Sequence, residues 1–343
     1  MQRLTFSALD GIRGIAALIV VFYHLETTQL KSSVIFPAGY LAVDLFFLMS
    51  GFVIAHAYEK KLHTGMGIAD FMINRGVRLY PLYLLGTMFG LFVAISASLL
   101  ANDSERLSEA FVSLPFALLA IPHLSADGMT WFPLAPPAWS LFYEVLLNLL
   151  YAIILHRLPN RVLFSIIAAS LFSMAVLIAH SGNIGGIGAL RCTFGISAGV
   201  LLYRKWVDGY LRLGRFPLYL PLSATIVATM LPTDGNWCLP TVMASLCIIF
   251  PLIVLIAAEY EPSRRSARAM KYLGALSYPI YLLHWPVILT VRKLASMINL
   301  SLIQQDLLTI FVTLGISSAA LKFFDQPIRD LVASSRKNKV ARA

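Results

Sequence analysis

Long apolar runs separated by short polar and basic clusters dominate this chain. Runs long enough to cross a bilayer occupy about 11–28, 39–58, 79–100, 138–156, 162–180, 187–203, 215–232, 238–258, 272–292 and 304–324. A membrane helix needs roughly 17 to 25 apolar residues at 1.5 Å of rise each, so the pattern predicts an all-α, polytopic membrane protein with about ten transmembrane helices. A shorter stretch near 110–122 carries Pro115 and Pro122 and reads as a re-entrant or interfacial piece within a long connection. The first run holds Asp10 and Arg13 at its start, has no small-residue cleavage site and leads at once to more apolar runs. It therefore reads as a retained helix and not a removable signal.

Composition sharpens this picture. With 58% hydrophobic residues, 13% charged residues and a mean hydropathy of +0.76 over 343 residues, a water-soluble globule is excluded. The formal net charge of +10 could point to nucleic acid, but the basic residues cluster between apolar runs, where membrane topology accounts for them. With the N-terminus inside, only Lys31, Arg106, Arg191, Arg292 and Lys293 of the 27 lysines and arginines fall outside. That asymmetry predicts both termini in the cytoplasm. Residues 1–330 form one transmembrane domain, and the basic tail 331–343 is expected to be irregular or to lie on anionic lipid. Cys192, Cys238 and Cys247 show neither metal-ligand spacing nor a disulfide framework, so no metal is expected.

Ionisable groups inside a membrane cost at least about 2.5 to 3.5 kcal/mol each, so those that persist are functional candidates. His24, Asp44, Glu144 and His284 are such groups. His24 lies near the outer end of the first helix, and Asp44 and Glu144 lie five or six residues from the outer ends of the second and fourth. The three are thus expected at similar depth. A carboxylate beside an imidazole fixes its tautomer and raises its basicity, which suits a general base acting on an alcohol. A core histidine bonded to a nearby carbonyl is the plainer reading of His24, and an acid that caps or bridges helices is the plainer reading of Asp44.

Arg13 precedes His24 by eleven residues, about 16 Å along one helix face. Arg75 and Arg78 project from one side of a helical turn and could grip phosphate oxygens in bidentate fashion, although positive-inside anchoring explains most such arginines. On the fourth helix Trp139 sits at the outer interface, and Ser140 shares a face with Glu144. In the ninth, Ser277, Tyr278 and His284 lie among Pro279 and Pro286, which should kink the helix and free carbonyls to line a cavity.

Taken together, these segments resemble the acyltransferase 3 family of membrane acyl-CoA-dependent transferases. Arg13 and His24 match its Arg-x10-His pattern, Gly39-Tyr-Leu-Ala-Val-Asp44-Leu-Phe-Phe-Leu-Met-Ser50-Gly-Phe52 its second-helix signature, Arg75-Gly-Val-Arg78 its Arg-x-x-Arg, and Trp139-Ser-Leu-Phe-Tyr-Glu144 its fourth-helix motif. Ser277-Tyr-Pro-Ile-Tyr-Leu-Leu-His284-Trp-Pro286 and Phe324-Asp-Gln-Pro327 resemble its closing signatures. The resemblance implies transfer of an acyl group, most often acetyl, from cytoplasmic acyl-CoA as co-substrate to a hydroxyl of a sugar, polysaccharide or glycolipid, in the bacterial inner membrane. Arg13, Arg75 and Arg78 would hold the CoA phosphates, and His24 would act as base or acyl carrier, oriented by Glu144 or Asp44. Some members carry an extramembrane hydrolase-like domain. This chain ends after the tenth run, so it is expected to acylate its acceptor directly or to work with a separate extracytoplasmic acyl-accepting protein. The competing reading is a transporter or flippase of a lipid-linked sugar, because buried histidines and carboxylates also relay protons. It would be favoured by broken helices in two matching halves, and no such repeat is visible.

Overall fold

The computed structural model describes residues 6–340 except 31, 126, 127, 129, 130, 183, 185 and 261, and of residues 333 and 335–340 the backbone alone. Among the described residues there is no strand. The helices are α1 (Ser7–Leu30), α2 (Ala42–His63), α3 (Ile68–Ala101), α4 (Ser104–Leu118), α5 (Ala138–Ile153), α6 (Asn160–Ser181), α7 (Gly188–Val207), α8 (Tyr219–Met230), α9 (Cys238–Ala244), α10 (Phe250–Glu259), α11 (Arg264–Met297), α12 (Leu302–Ala320) and α13 (Gln326–Val340).

Each of the ten predicted runs overlaps helix. Among the described residues, seven helical segments are long and apolar enough to cross a membrane by themselves: Ser7–Leu30, Gly39–His63, Ile68–Ala101, Asn160–Ser181, Gly235–Glu259, Arg264–Met297 and Leu302–Val332. α5 and α8 are apolar but shorter, and α7 carries Arg191, Arg204 and Lys205. The chain is a multi-pass membrane protein. Several helices outrun the apolar windows that revealed them. α3 starts at Ile68 and α11 at Arg264, because helix hydrogen bonding continues through charged turns that hydropathy assigns to loops. The tail expected to be irregular or surface-lying is helical to Val340; Lys31, the side chains of Arg336, Lys337 and Lys339, and residues 341–343 lie outside the described residues.

The stretch read as re-entrant begins a helix earlier than expected. Asp103 caps α4 by accepting from the Arg106 amide at 2.9 Å, and α4 continues through Pro115 to Leu118. Its last carbonyls find partners on α3: Tyr83 donates to Ala117 and Tyr80 to Leu118, both at 2.5 Å. Two π-helical segments, Ser245–Ile249 and Leu321–Asp325, each end two residues before a proline, Pro251 and Pro327. A widened turn at that point absorbs the carbonyl that a proline leaves without an amide donor.

The chain divides into two compact units, residues 1–71 with 143–277 and residues 72–142 with 278–343. In the first, α2 and α7 meet along a seam of small residues. A Cβ on Gly51 would collide with the Ile196 carbonyl, and one on Gly199 with that of Leu48, so the backbones touch directly. Around the seam a core gathers Leu9, Ile12, Leu45, Phe52, Phe194 and Phe250. The second unit holds a small cluster of Ala110, Ala117 and Leu134. There, Pro286 deprives the Leu282 carbonyl of its helical donor, and that oxygen would stand 3.2 Å from a Cβ placed on Gly86. α11 nonetheless runs unbroken through Pro279 and Pro286.

Candidate active site

In the first unit, His24 stands near the C-terminal end of α1 with Nδ1 2.9 Å from the Val20 carbonyl, one turn back. A carbonyl only accepts, so in the neutral ring the proton sits on Nδ1 and the basic lone pair on Nε2. This is the carbonyl contact of the plain core-histidine reading, and it is also the tautomer a base requires. Glu26, the nearest carboxylate in sequence, is occupied by the loop that follows, accepting from the Ser33 hydroxyl and the Val34 and Ile35 amides.

Asp44 is buried and meets Arg191 of α7. Nε donates to Oδ1 at 3.0 Å and Nη2 to Oδ2 at 2.5 Å, while Nη2 also reaches the Tyr40 carbonyl at 3.1 Å. Both Asp44 oxygens are therefore bonded across helices, which is the bridging role an aspartate here can also fill. The Tyr40 ring packs edge-on against Tyr23, 5.8 Å between centroids, so the residue beside His24 is level with this ion pair. Glu144 is half-buried and accepts from the Ser50 hydroxyl at 2.8 Å. Arg13 lies 3.8 Å from Asp10, and Ser277 donates to the Gly274 carbonyl at 2.7 Å.

At the far ends of the same helices Arg204 donates to Glu59 at 2.6 Å, to the carbonyls of Leu158 and His156 at 2.7 and 2.8 Å, and to Asn160 at 3.1 Å. The links Asp44 to Arg191 and Glu59 to Arg204 make α2 and α7 run in one direction, and Ser50 to Glu144, with Arg204 on the carbonyls of His156 and Leu158 just past α5, aligns α5 with them, as the alternation of spans predicts for the second, fourth and sixth. In the loop beyond α5, burial holds the His156 imidazole below the ordinary histidine pKa, in the neutral form whose Nε2 accepts from Arg157 at 3.2 Å.

In the second unit Arg75 is buried on α3 and Arg78 is half-buried one turn on. The Arg78 carbonyl accepts from Arg329, which also pairs with the buried Asp325 at 2.8 Å. Ser140 is buried and meets the Tyr281 hydroxyl at 2.8 Å, and both reach the Pro137 carbonyl. Ser140 and Glu144 thus share a helix, yet each has its own partner. Trp139 is half-buried, Tyr278 donates to the Leu79 carbonyl at 2.7 Å, and His284 is fully buried with Nδ1 3.1 Å from the Ile280 carbonyl.

Sequence reasoning missed Arg191, Tyr281 and the Glu59 to Arg204 link. Arg191 did carry a signal: a charge inside an apolar run requires an acid at its own depth, and Asp44 is one.

Residues 6–322 match a family described as an acyltransferase domain. "Protein 2 in picA locus" of Rhizobium radiobacter is 42% identical over 159 residues, covering 43% of this chain and 81% of that protein. The O-acetyltransferase OatA of Staphylococcus aureus is 25% identical over 366 residues, covering 94% of this chain and 57% of OatA, so this chain spans little more than half of that relative. No solved structure matches the chain.

Proposed function

Because the chain belongs to this acyltransferase family, we propose that it is a membrane O-acyltransferase. It moves an acyl group, most simply acetyl, from cytoplasmic acyl-CoA to a hydroxyl of a sugar, polysaccharide or glycolipid at the outer side of the bacterial inner membrane. That OatA is an O-acetyltransferase supports oxygen as the acceptor atom and acetyl as the group.

The observation that carries this reading is the fixed imidazole of His24. With Nδ1 bonded to Val20, Nε2 takes the proton of the acceptor hydroxyl as its oxygen bonds to the thioester carbonyl carbon. The carbon–sulfur bond then breaks, and the departing thiolate receives that proton from the imidazolium. Glu144, held by Ser50, is read as the carboxylate whose negative charge would favour the imidazolium, and Asp44 is braced by Arg191. Arg13, Arg75 and Arg78 are read as the cations for the phosphates of CoA, a role that suits the planar guanidinium fork.

Purified protein in liposomes, given labelled acetyl-CoA with and without candidate glycans, tests the proposal through thiol release. Release that rises when an acceptor is added supports it. Release that appears only with an added extracytoplasmic protein would make that protein the immediate acyl acceptor. No release under any condition, with labelled sugar crossing the bilayer, would favour the transporter.

A further inference from the structure

α5 carries a column of polar side chains that the proposed chemistry leaves mostly unused. Glu144, Asn148 and Tyr151 fall within an arc of about 60° on one helix face and span roughly 10 Å of its length. Glu144 at one end is bonded to Ser50 of α2. At the other end Tyr151 stands within electrostatic range of Glu59 of α2 and Arg204 of α7. Between them Asn148 is fully buried, and both its amide oxygen and its amide nitrogen lack a hydrogen-bond partner among the described residues. The Tyr151 hydroxyl and the second oxygen of Glu59 are buried and unpartnered in the same way.

An unsatisfied buried polar group costs about 1 to 3 kcal/mol, and a primary amide carries two donors and an acceptor with two lone pairs. A leucine at position 148 would cost nothing of this kind in an apolar helix. Four orphaned polar atoms on two facing helices, one of them an anion and the others neutral, make a poor phosphate site. They fit an uncharged ligand that offers both N–H donors and C=O acceptors. The arm that joins the nucleotide of CoA to its thioester is such a group, because it carries two secondary amides.

We propose that Asn148 and Tyr151, with the free oxygen of Glu59, form a hydrogen-bonding subsite for the amide-bearing arm of the acyl thioester. The subsite lies between Glu144 and the end of α2 and α7 that carries Lys60, Lys61, Arg204 and Lys205. This rests on the acyl-CoA reading above.

The test compares three donors on the full-length protein in nanodiscs: acetyl-CoA, S-acetylpantetheine with the arm but no nucleotide, and S-acetyl-2-mercaptoethanol with neither. Asn148→Leu should raise KM about tenfold for acetyl-CoA and S-acetylpantetheine, with kcat within about threefold, and should leave use of S-acetyl-2-mercaptoethanol unchanged. Arg75→Ala is the contrast: it should raise KM for acetyl-CoA alone. Tyr151→Phe removes one oxygen with no change of shape, should raise KM for the two amide donors severalfold, and decides the matter if Asn148→Leu does not fold. An unchanged KM for S-acetylpantetheine in a folded variant, or an equal rise for the donor without amides, would overturn the subsite while leaving acyl-CoA as donor. A wild-type protein that turns over none of the thioesters would overturn the donor assignment, and the subsite with it.

Discussion

Asp44 and Arg191 stand 147 residues apart in sequence and meet as a two-pronged ion pair in which neither side chain is more than 7% exposed. Such a pair repays the cost of taking two charges out of water only while both partners remain. Asp44→Asn or Arg191→Met alone should therefore cost about 3 to 5 kcal/mol, read as lost monodispersity and a lowered Tm in detergent. The double replacement Asp44→Leu with Arg191→Met should recover most of that stability. A stable but inactive double variant would give the pair a part in the reaction, and a stable Asp44→Asn would show that the pair does not hold α2 to α7.

The glycine seam makes a second demand on the same helices. Gly51→Ala places a methyl group on the Ile196 carbonyl, a backbone atom that cannot rotate aside. Overpacking of this kind costs about 1 to 3 kcal/mol, and the shift it forces should also disturb Ser50 and its bond to Glu144. A Cβ on Gly76 would meet no heavy atom of the described residues within 4 Å beyond its own helical turn, so Gly76→Ala is the matched control and should leave Tm unchanged or slightly raised, since alanine suits a helix interior better than glycine. Equal Tm values for the two variants would mean that α2 and α7 do not pack this closely.

His24→Ala should lower acyl transfer by about 10² to 10⁴ fold while leaving expression and membrane insertion intact, since alanine suits an apolar helix and the lost group is the base. His284→Ala separates position from chemistry. His284 has the same contact to a carbonyl one turn back but is fully buried, so its loss should reduce stability along with activity. Transfer above about a tenth of wild type in His24→Ala would return His24 to a packing role.

These residues differ in how far the sequence reveals them. The helices were legible because apolar runs at bilayer length leave little choice of structure, and even the parallel direction of α2, α5 and α7 followed from counting spans. The pairing of Asp44 was harder to see. Depth matched it equally to His24 and to Arg191, and only the register of α2 on α7, set by glycines, decides which partner it meets. Asn148 passed as one more residue of an apolar run, because hydropathy averages over the single amide that packing later isolates. Helix ends were misread for a related reason: hydropathy marks where the membrane stops, and hydrogen bonding at Ile68 and Arg264 extends the helix beyond that point.

Topology remains the premise on which a donor at one face and an acceptor at the other depends. Thr64 is exposed just beyond the C-terminus of α2, and Ser104 is exposed at the start of α4. In a background lacking Cys192, Cys238 and Cys247, a cysteine at Ser104 should react with a membrane-impermeant maleimide in intact cells, and one at Thr64 only after permeabilisation. The expectation rests on the inward bias of lysine and arginine. It also rests on the shared direction of α2 and α7, whose final turns carry Lys60, Lys61, Arg204 and Lys205 at the same end. Labelling at Thr64 in intact cells would put that basic end outside. Arg75 and Arg78, about two and three turns into α3, would then face away from cytoplasmic CoA, and their assignment to its phosphates would have to be dropped.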